Sequence, residues 1–208
     1  MRLLLAMLLG RFAGRLSRLL GRGGSAVPGL VAEKVDPRVV EKLVARLRDG
    51  VVVVTGTNGK TTTAKMLVSI LRADGRDVVT NRTGSNLVRG IATLLIEVGT
   101  LRGGMRGDLA VFEVDEAALR VIAPRLRPRF VVVTNLARDQ LDRFGELVTT
   151  AGHIASALEH AGGAVLNADD DMVAGLAGAG GAVAGLAGAG GAVAGLAGAG
   201  GAVAGLAG

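Results

Sequence analysis

The stretch Val51-Val-Val-Val-Thr-Gly-Thr-Asn-Gly-Lys-Thr-Thr-Thr63 constrains the chain more than any other segment. Four consecutive valines leave no polar face and read as a strand buried on both sides. Gly56 and Gly59 permit a tight turn, and Lys-Thr opens a helical stretch over Thr61–Arg72. Such a turn aims backbone N–H groups at one point, and the helix N-terminus adds about half a positive charge. That arrangement suits a bound phosphate. Lys60 reaches terminal phosphates and the Thr61 hydroxyl offers a ligand to Mg2+. The general phosphate-loop pattern places a glycine six residues before the lysine. Here that position is Val54, so Gly56-x-x-Gly59-Lys60-Thr61 is a shortened variant.

The pattern continues as an alternation of short apolar runs and helical stretches. Asp77–Thr80, Leu109–Val114, Phe130–Thr134 and Ala164–Leu166 are strand candidates, and Ile91–Val98 and Glu146–His160 are helix candidates. Uninterrupted apolar strands alternating with helices predict an α/β fold, a phosphate-loop-type, mostly parallel sheet flanked by helices. Ligands of such sheets bind beyond the carboxyl ends of the strands. Three polar clusters stand there: Glu113-Val-Asp-Glu116, Thr134-Asn-Leu-Ala-Arg-Asp-Gln-Leu-Asp-Arg143 and Leu166-Asn-Ala-Asp-Asp-Asp171, with Thr80-Asn-Arg-Thr-Gly-Ser-Asn86 after a further strand. Glu113 still lies within its apolar run, where an acid is costly to bury, which marks it as the metal ligand. The competing reading is acids that merely end a strand. His153 and His160 lie seven apart with no acid or cysteine at ligand spacing, and read as surface or packing residues.

Composition sets limits. With no cysteine there is no disulfide framework, Cys-ligated zinc or thiol nucleophile. Four phenylalanines are the only aromatics, which argues against a binder that stacks nucleic-acid bases. The net charge of +6 is unevenly placed. Residues 1–30 hold five arginines and no acid and residues 173–208 hold no charge, so 31–172 keeps 19 basic and 18 acidic side chains. The basicity belongs to the leader, not to a nucleic-acid footprint.

Four regions follow. Residues 1–24 form a basic amphipathic helix in which Arg11, Arg15, Arg18 and Arg22 share one face and Leu9, Phe12, Leu16, Leu19 and Leu20 the other. It either docks its leucine face on the body or lies on an anionic membrane surface. Its apolar run is too short for a bilayer span, and it makes a poor signal peptide. Residues 25–50 are a connector, Gly21–Gly29 being Gly/Ser/Pro-rich, and a helix with Asp36 as N-cap and Pro37 in its first turn. Residues 51–172 are the patterned domain. From Val173 the decamer VAGLAGAGGA repeats without substitution through 208, and organised sequence is expected to stop near Met172. A membrane segment is the competing reading of this tail.

Taken in order, TGTNGKTT, the acid-ended strand and the TN…D-x-LD segment resemble the Mur ligase family. TNRTGSN, EVDEA, NLARDQLDR and LNADD resemble its MurT type. The resemblance covers roughly residues 1–172. It implies a cytoplasmic, ATP-dependent carbon–nitrogen ligase of peptidoglycan synthesis, placed at the inner face of the plasma membrane if the leader binds lipid. Its partner would be a GatD-type glutamine amidotransferase subunit, and its substrate lipid II, whose D-glutamate α-carboxylate it would amidate through an acyl phosphate. Gly56, Thr57, Asn58, Gly59, Lys60, Thr61 and Thr62 would hold ATP, Lys60 and Glu113 would act in catalysis, and Thr61 and Glu113 would hold Mg2+. Asn81, Ser85, Asn86, Asn135, Arg138, Asp139, Gln140, Asp142, Asn167 and Asp169 would face substrate or support those that do.

The departures bear on that expectation. Gln140 stands where many Mur ligases have histidine, which fits the MurT branch, and no lysine follows Lys65 to be carbamylated. The four-cysteine zinc ribbon and the carboxy-terminal domain of MurT proteins have no counterpart, so zinc is not expected and the chain is expected to be an incomplete half-enzyme. Two alternatives stay open: another family ligase, amino-acid-adding or folylpolyglutamate synthase-like, and a non-catalytic or artificial nucleotide-binding chain.

Overall fold

The computed structural model describes residues 2–19, 26–81, 88–101, 104–137, 144–179, 182–186 and 195–196. In chain order the elements are α1 (Arg2–Leu19), α2 (Val27–Val35), α3 (Val39–Val44), β1 (Gly50–Thr55), α4 (Lys60–Ala73), β2 (Val78–Thr80), α5 (Val88–Val98) and β3 (Leu109–Glu113). They continue with α6 (Glu116–Leu126), β4 (Phe130–Val133), α7 (Phe144–Leu158), β5 (Gly163–Asn167), α8 (Asp171–Ala174), a 3-10 turn at Gly175–Gly178, β6 (Ala182–Leu186) and β7 (Gly195–Leu196). Two compact units result. Met1–Val51 with Ala64–Glu113 form the first, and Val52–Thr63 with Val114–Gly208 the second.

In the first unit β2 and β3 pair in parallel, with Val78 opposite Leu109 and Thr80 opposite Val111. Its core is built from Val39, Val40 and Leu43 of α3 and Ile91, Leu95 and Ile96 of α5, all fully buried. α1 packs on α2 and α5. The face it uses is not the leucine face that the sequence pattern favours for docking. Ala6, Met7, Gly10 and Gly14 are buried, whereas Leu8, Leu9, Phe12, Leu16 and Leu19 are exposed. The reason is backbone approach: a Cβ on Gly10 would come within 2.8 Å of the Pro28 carbonyl oxygen, and one on Gly14 within 2.6 Å of the Pro28 ring. Arg11 also turns inward. Its guanidinium donates to the carbonyls of Ile96, at 2.9 Å, and Gly99, where a cation complements the α5 C-terminus.

The connector differs too. α2 begins at Val27 with Pro28 in its first turn, so the Gly/Ser/Pro-rich stretch is helical from there. Asp36 is not the N-cap of the next helix, which starts at Val39 behind Arg38. Instead its buried carboxylate accepts from the Arg38 amide at 3.2 Å and the Lys42 ammonium at 2.6 Å. Burial pushes this carboxyl up, but the Lys42 and Arg38 hydrogen bonds outweigh burial and hold it below its ordinary value.

In the second unit the β1 residues Val52–Thr55 pair in parallel with β4, and β4 in parallel with β5. Each of β1 to β5 thus runs parallel to its partner, as the apolar runs predict. α6 and α7 pack together, and Leu119 and Ile122 of α6 and Ile154 and Leu158 of α7 are fully buried. α6 occupies a stretch to which the sequence pattern assigns no element. Ordered structure also continues past Met172. Asp170 caps α8 through the amides of Met172 and Val173, and β6, inside the repeat, extends the sheet in parallel with β5, with Gly163 opposite Ala182 and Asn167 opposite Leu186. No helix among the described residues is long and apolar enough to cross a membrane.

Candidate functional site

The turn after β1 is bent by Gly56, whose φ of 126° excludes other residues. A Cβ there would also lie 2.3 Å from the Thr134 hydroxyl. The segment that follows β4 then grips the turn. The Thr57 amide donates to the Asn135 carbonyl at 2.8 Å and the Asn58 amide to Asn135 Oδ1 at 3.0 Å. In return Asn135 Nδ2 and the Thr134 hydroxyl donate to the Asn58 carbonyl, at 3.0 and 2.7 Å. The backbone of Thr57 and Asn58 is thus held by the residues after β4. The Thr57 and Asn58 amides are engaged by Asn135, and α4 begins directly after the turn, where a helix leaves its first N–H groups without intrahelical acceptors.

Lys60 is the first residue of α4, and its ammonium folds back to donate to the carbonyls of Gly56, at 2.5 Å, and Thr57, at 3.4 Å. Asp115 Oδ1 and Glu116 Oε1 stand 3.8 and 3.9 Å from the same nitrogen, which is 14% exposed as a side chain. The Val114 amide, bonded to the Val54 carbonyl at 3.0 Å, delivers these acids, and the α6 N-terminus favours their charge. Sequence reasoning singles out Glu113 in this motif and misses Asp115 and Glu116 as the carboxylates beside Lys60. Their position directly after a strand and at a helix start is the signal that finds them.

Glu113 itself is buried, at 7% exposure, and its backbone is clasped by Asn81. The Glu113 amide donates to Asn81 Oδ1 at 2.9 Å, and Asn81 Nδ2 donates to the Glu113 carbonyl at 2.8 Å. Asn81 thus continues the β2–β3 pairing by one rung.

The LNADD cluster supports the loop from behind. Asn167 Nδ2 donates to the Thr134 carbonyl at 2.9 Å, while Asn167 Oδ1 accepts from the Asp169 amide at 3.1 Å. Asp170, not singled out by the sequence, accepts from the Leu136 amide at 2.8 Å and so ties the β4 loop to the start of α8. Thr55, at the end of β1, is fully buried and its hydroxyl has no hydrogen-bond partner among the described residues. Ser85, Asn86, Arg138, Asp139, Gln140 and Asp142 lie outside the described residues.

Mg2+ fits the groups present. No group of three or more His, Cys, Asp or Glu placed to hold a metal ion occurs among the described residues. A cation that keeps its waters and takes one or two carboxylates together with phosphate oxygens asks for no such cage. The Thr61 hydroxyl at the α4 start and the acids after β3 are hard oxygen donors of the required kind.

The chain matches the Mur ligase middle domain over residues 54–183. It is 36% identical over 172 residues to the MurT subunit of lipid II isoglutaminyl synthase (glutamine-hydrolyzing) from Staphylococcus aureus strain N315, covering 82% of this chain and 38% of that protein. To the subunit of the same name from Streptococcus pneumoniae strain ATCC BAA-255 / R6 it is 42% identical over 154 residues, covering 72% of this chain and 33% of that one. The chain thus spans between a third and two fifths of the length of these relatives. Among solved structures, MurF ligase from Thermotoga maritima in complex with ADP superposes with a TM-score of 0.62 at 19% identity, over 75% of this chain and 36% of that one, a likeness of fold.

Proposed function

The chain belongs to the Mur ligase family, and from that premise we infer that it is the ATP-binding part of a MurT-type amide ligase of peptidoglycan synthesis. One observation carries this reading: a lysine-bearing helix N-terminus held open by a turn whose own amides are already tied to Asn135. A helix N-terminus beside an ammonium favours a polyphosphate, and electrostatic positioning is most of what phosphoryl transfer asks of a protein.

In this reading the α4 amides and Lys60 hold the triphosphate, and Thr61 would hold a Mg2+ ion, which would supply charge neutralisation there. The D-glutamate α-carboxylate of the lipid II stem accepts the γ-phosphoryl group as an acyl phosphate. Ammonia, supplied by a GatD-type glutamine amidotransferase, then displaces phosphate and leaves the amide. The same relatives support placement in the cytoplasm, where ATP is available. Asn135, Asn167 and Asp169 act as supports of the loop, and Asn81 as the clasp on Glu113.

Titration of ATP with and without Mg2+ against wild type and Lys60→Ala tests the nucleotide site. Metal-dependent binding in the wild type and a loss of about 10-fold or more in the variant are expected. Equal binding by both proteins refutes the site. Mixing the chain with a GatD-type subunit, glutamine, ATP and lipid II, and reading the mass of the stem peptide, tests the reaction. Phosphate release driven by an amino acid or a folate instead identifies another family ligase.

A further inference from the structure

The outer face of α1 carries half of the large apolar side chains that lie exposed among the described residues. Leu5, Leu8, Leu9, Phe12, Leu16 and Leu19 are all exposed, from 40% at Leu9 to 84% at Leu19. At about 100° of rotation per residue these six fall within an arc of roughly 100°. Arg2 borders the arc on one side and Arg15 on the other, with exposed Leu4 and then Arg18 beyond Arg15, and all three arginines are exposed. The docking residues Ala6, Met7, Gly10 and Gly14 lie opposite. The helix contains no acid, and Arg11, the one arginine turned inward, fixes its rotation by donating to the α5 carbonyls. Arg18 also approaches Glu97, at 3.5 Å, but both groups are exposed and the pair is loose.

We propose that this face of α1 is a docking surface for an anionic lipid bilayer, with the leucines and Phe12 in the acyl boundary and Arg2, Arg15 and Arg18 on lipid phosphates. Large apolar side chains in the middle and arginines along both borders match the layering of a membrane interface, where apolar groups sit below the plane of negative charge. A second copy of the chain is a poorer occupant, because two such faces would bring arginine borders together, like charge against like. Four arginines in eighteen residues also rule out a spanning helix. The 18-residue helix, about 27 Å long, lies in the interface plane and holds the body beside it.

Flotation of the full chain with phosphatidylcholine vesicles, with or without about a third phosphatidylglycerol, tests the proposal. About 10-fold or more binding to the anionic vesicles than to the neutral ones is expected, weakening as salt rises. Leu8→Glu with Phe12→Glu, and separately Arg15→Glu with Arg18→Glu, should each abolish it. All four positions are exposed, and an unchanged circular dichroism spectrum confirms that the variants fold. Equal binding to neutral vesicles, binding retained by either variant, or a wild-type dimer that ignores vesicles overturns it. The vesicles carry neither lipid II nor nucleotide, so this result and that of the ATP titration fail independently.

Discussion

Asn135 and Asn58 exchange two hydrogen bonds, side-chain amide against main chain: the Asn58 N–H donates to Asn135 Oδ1 and Asn135 Nδ2 donates to the Asn58 carbonyl, both at 3.0 Å. One side chain from the β4 loop therefore imitates a strand neighbour and fixes the height of the phosphate turn. Asn135→Ala should leave the Asn58 N–H unpaired while its carbonyl still accepts from the Thr134 hydroxyl, cost about 1–3 kcal/mol of stability and weaken ATP binding by about 10-fold. Thermal melting and nucleotide titration of the variant check both numbers, and an unaltered affinity would show that the turn holds its shape without the clasp.

Gly56 allows no substitution. Gly56→Ala combines a φ of 126° with a Cβ 2.3 Å from the Thr134 hydroxyl and 2.8 Å from the Asn135 carbonyl. A loss of about 2–5 kcal/mol is expected in urea unfolding, with nucleotide binding lost at temperatures where the variant still folds. Gly59→Ala is the comparison. Nothing approaches within 4 Å of its Cβ position, so only the strain of its φ of 80° remains, about 1–2 kcal/mol.

Asp115 and Glu116 compete with phosphate for Lys60, since each stands within 4 Å of its ammonium. Asp115→Asn with Glu116→Gln removes that attraction and the repulsion between two acids and a triphosphate. Metal-free ATP should then bind about 3- to 10-fold more tightly, and the gain from Mg2+ should shrink. Isothermal titration with and without EDTA reads the difference; weaker metal-free binding would show that the acids orient Lys60 and do not oppose the nucleotide.

The Asp36 carboxylate gives the first unit an acid-sensitive support. Its folded pKa lies below the ordinary 3.8, so the unfolded chain takes up its proton first as pH falls. The contribution is complete well above that value and drains away as pH drops through and below it. Asp36→Asn should cost about 1–3 kcal/mol near neutrality and progressively less in acid. Urea midpoints of wild type and variant, compared between about pH 6 and pH 3, should converge. A constant gap would place the stabilisation elsewhere.

The parts of this fold legible in sequence are those whose cause is local. A valine run, two glycines and Lys-Thr specify β1, its turn and the head of α4 within thirteen residues, and the structure follows them almost residue for residue. What eluded the pattern depends on partners far along the chain. α6 has apolar residues at Leu119, Ile122, Ala123 and Leu126, a helical spacing, but it opens on an acidic cluster and carries Pro124 in its last turn, so local signals conflict. α1 buries two glycines and Ala6 together with Met7, because helix backbones approach most closely where side chains are absent, and hydrophobicity alone ranks the leucines first. Asp170 and Asn135 are short polar residues whose roles exist only once Leu136 and Asn58 stand beside them.

The strand laid against β5 is drawn from a repeat, and that changes what the sheet can recognise. Ala182-Val-Ala-Gly-Leu186 forms β6, and the same five residues recur at 192–196 and 202–206. The slot opposite Gly163–Asn167 is thus addressed by a word that the chain spells three times. Removing one decamer leaves the same five residues in line to follow Gly181, so gain or loss of copies changes chain length without changing the sequence offered at this edge.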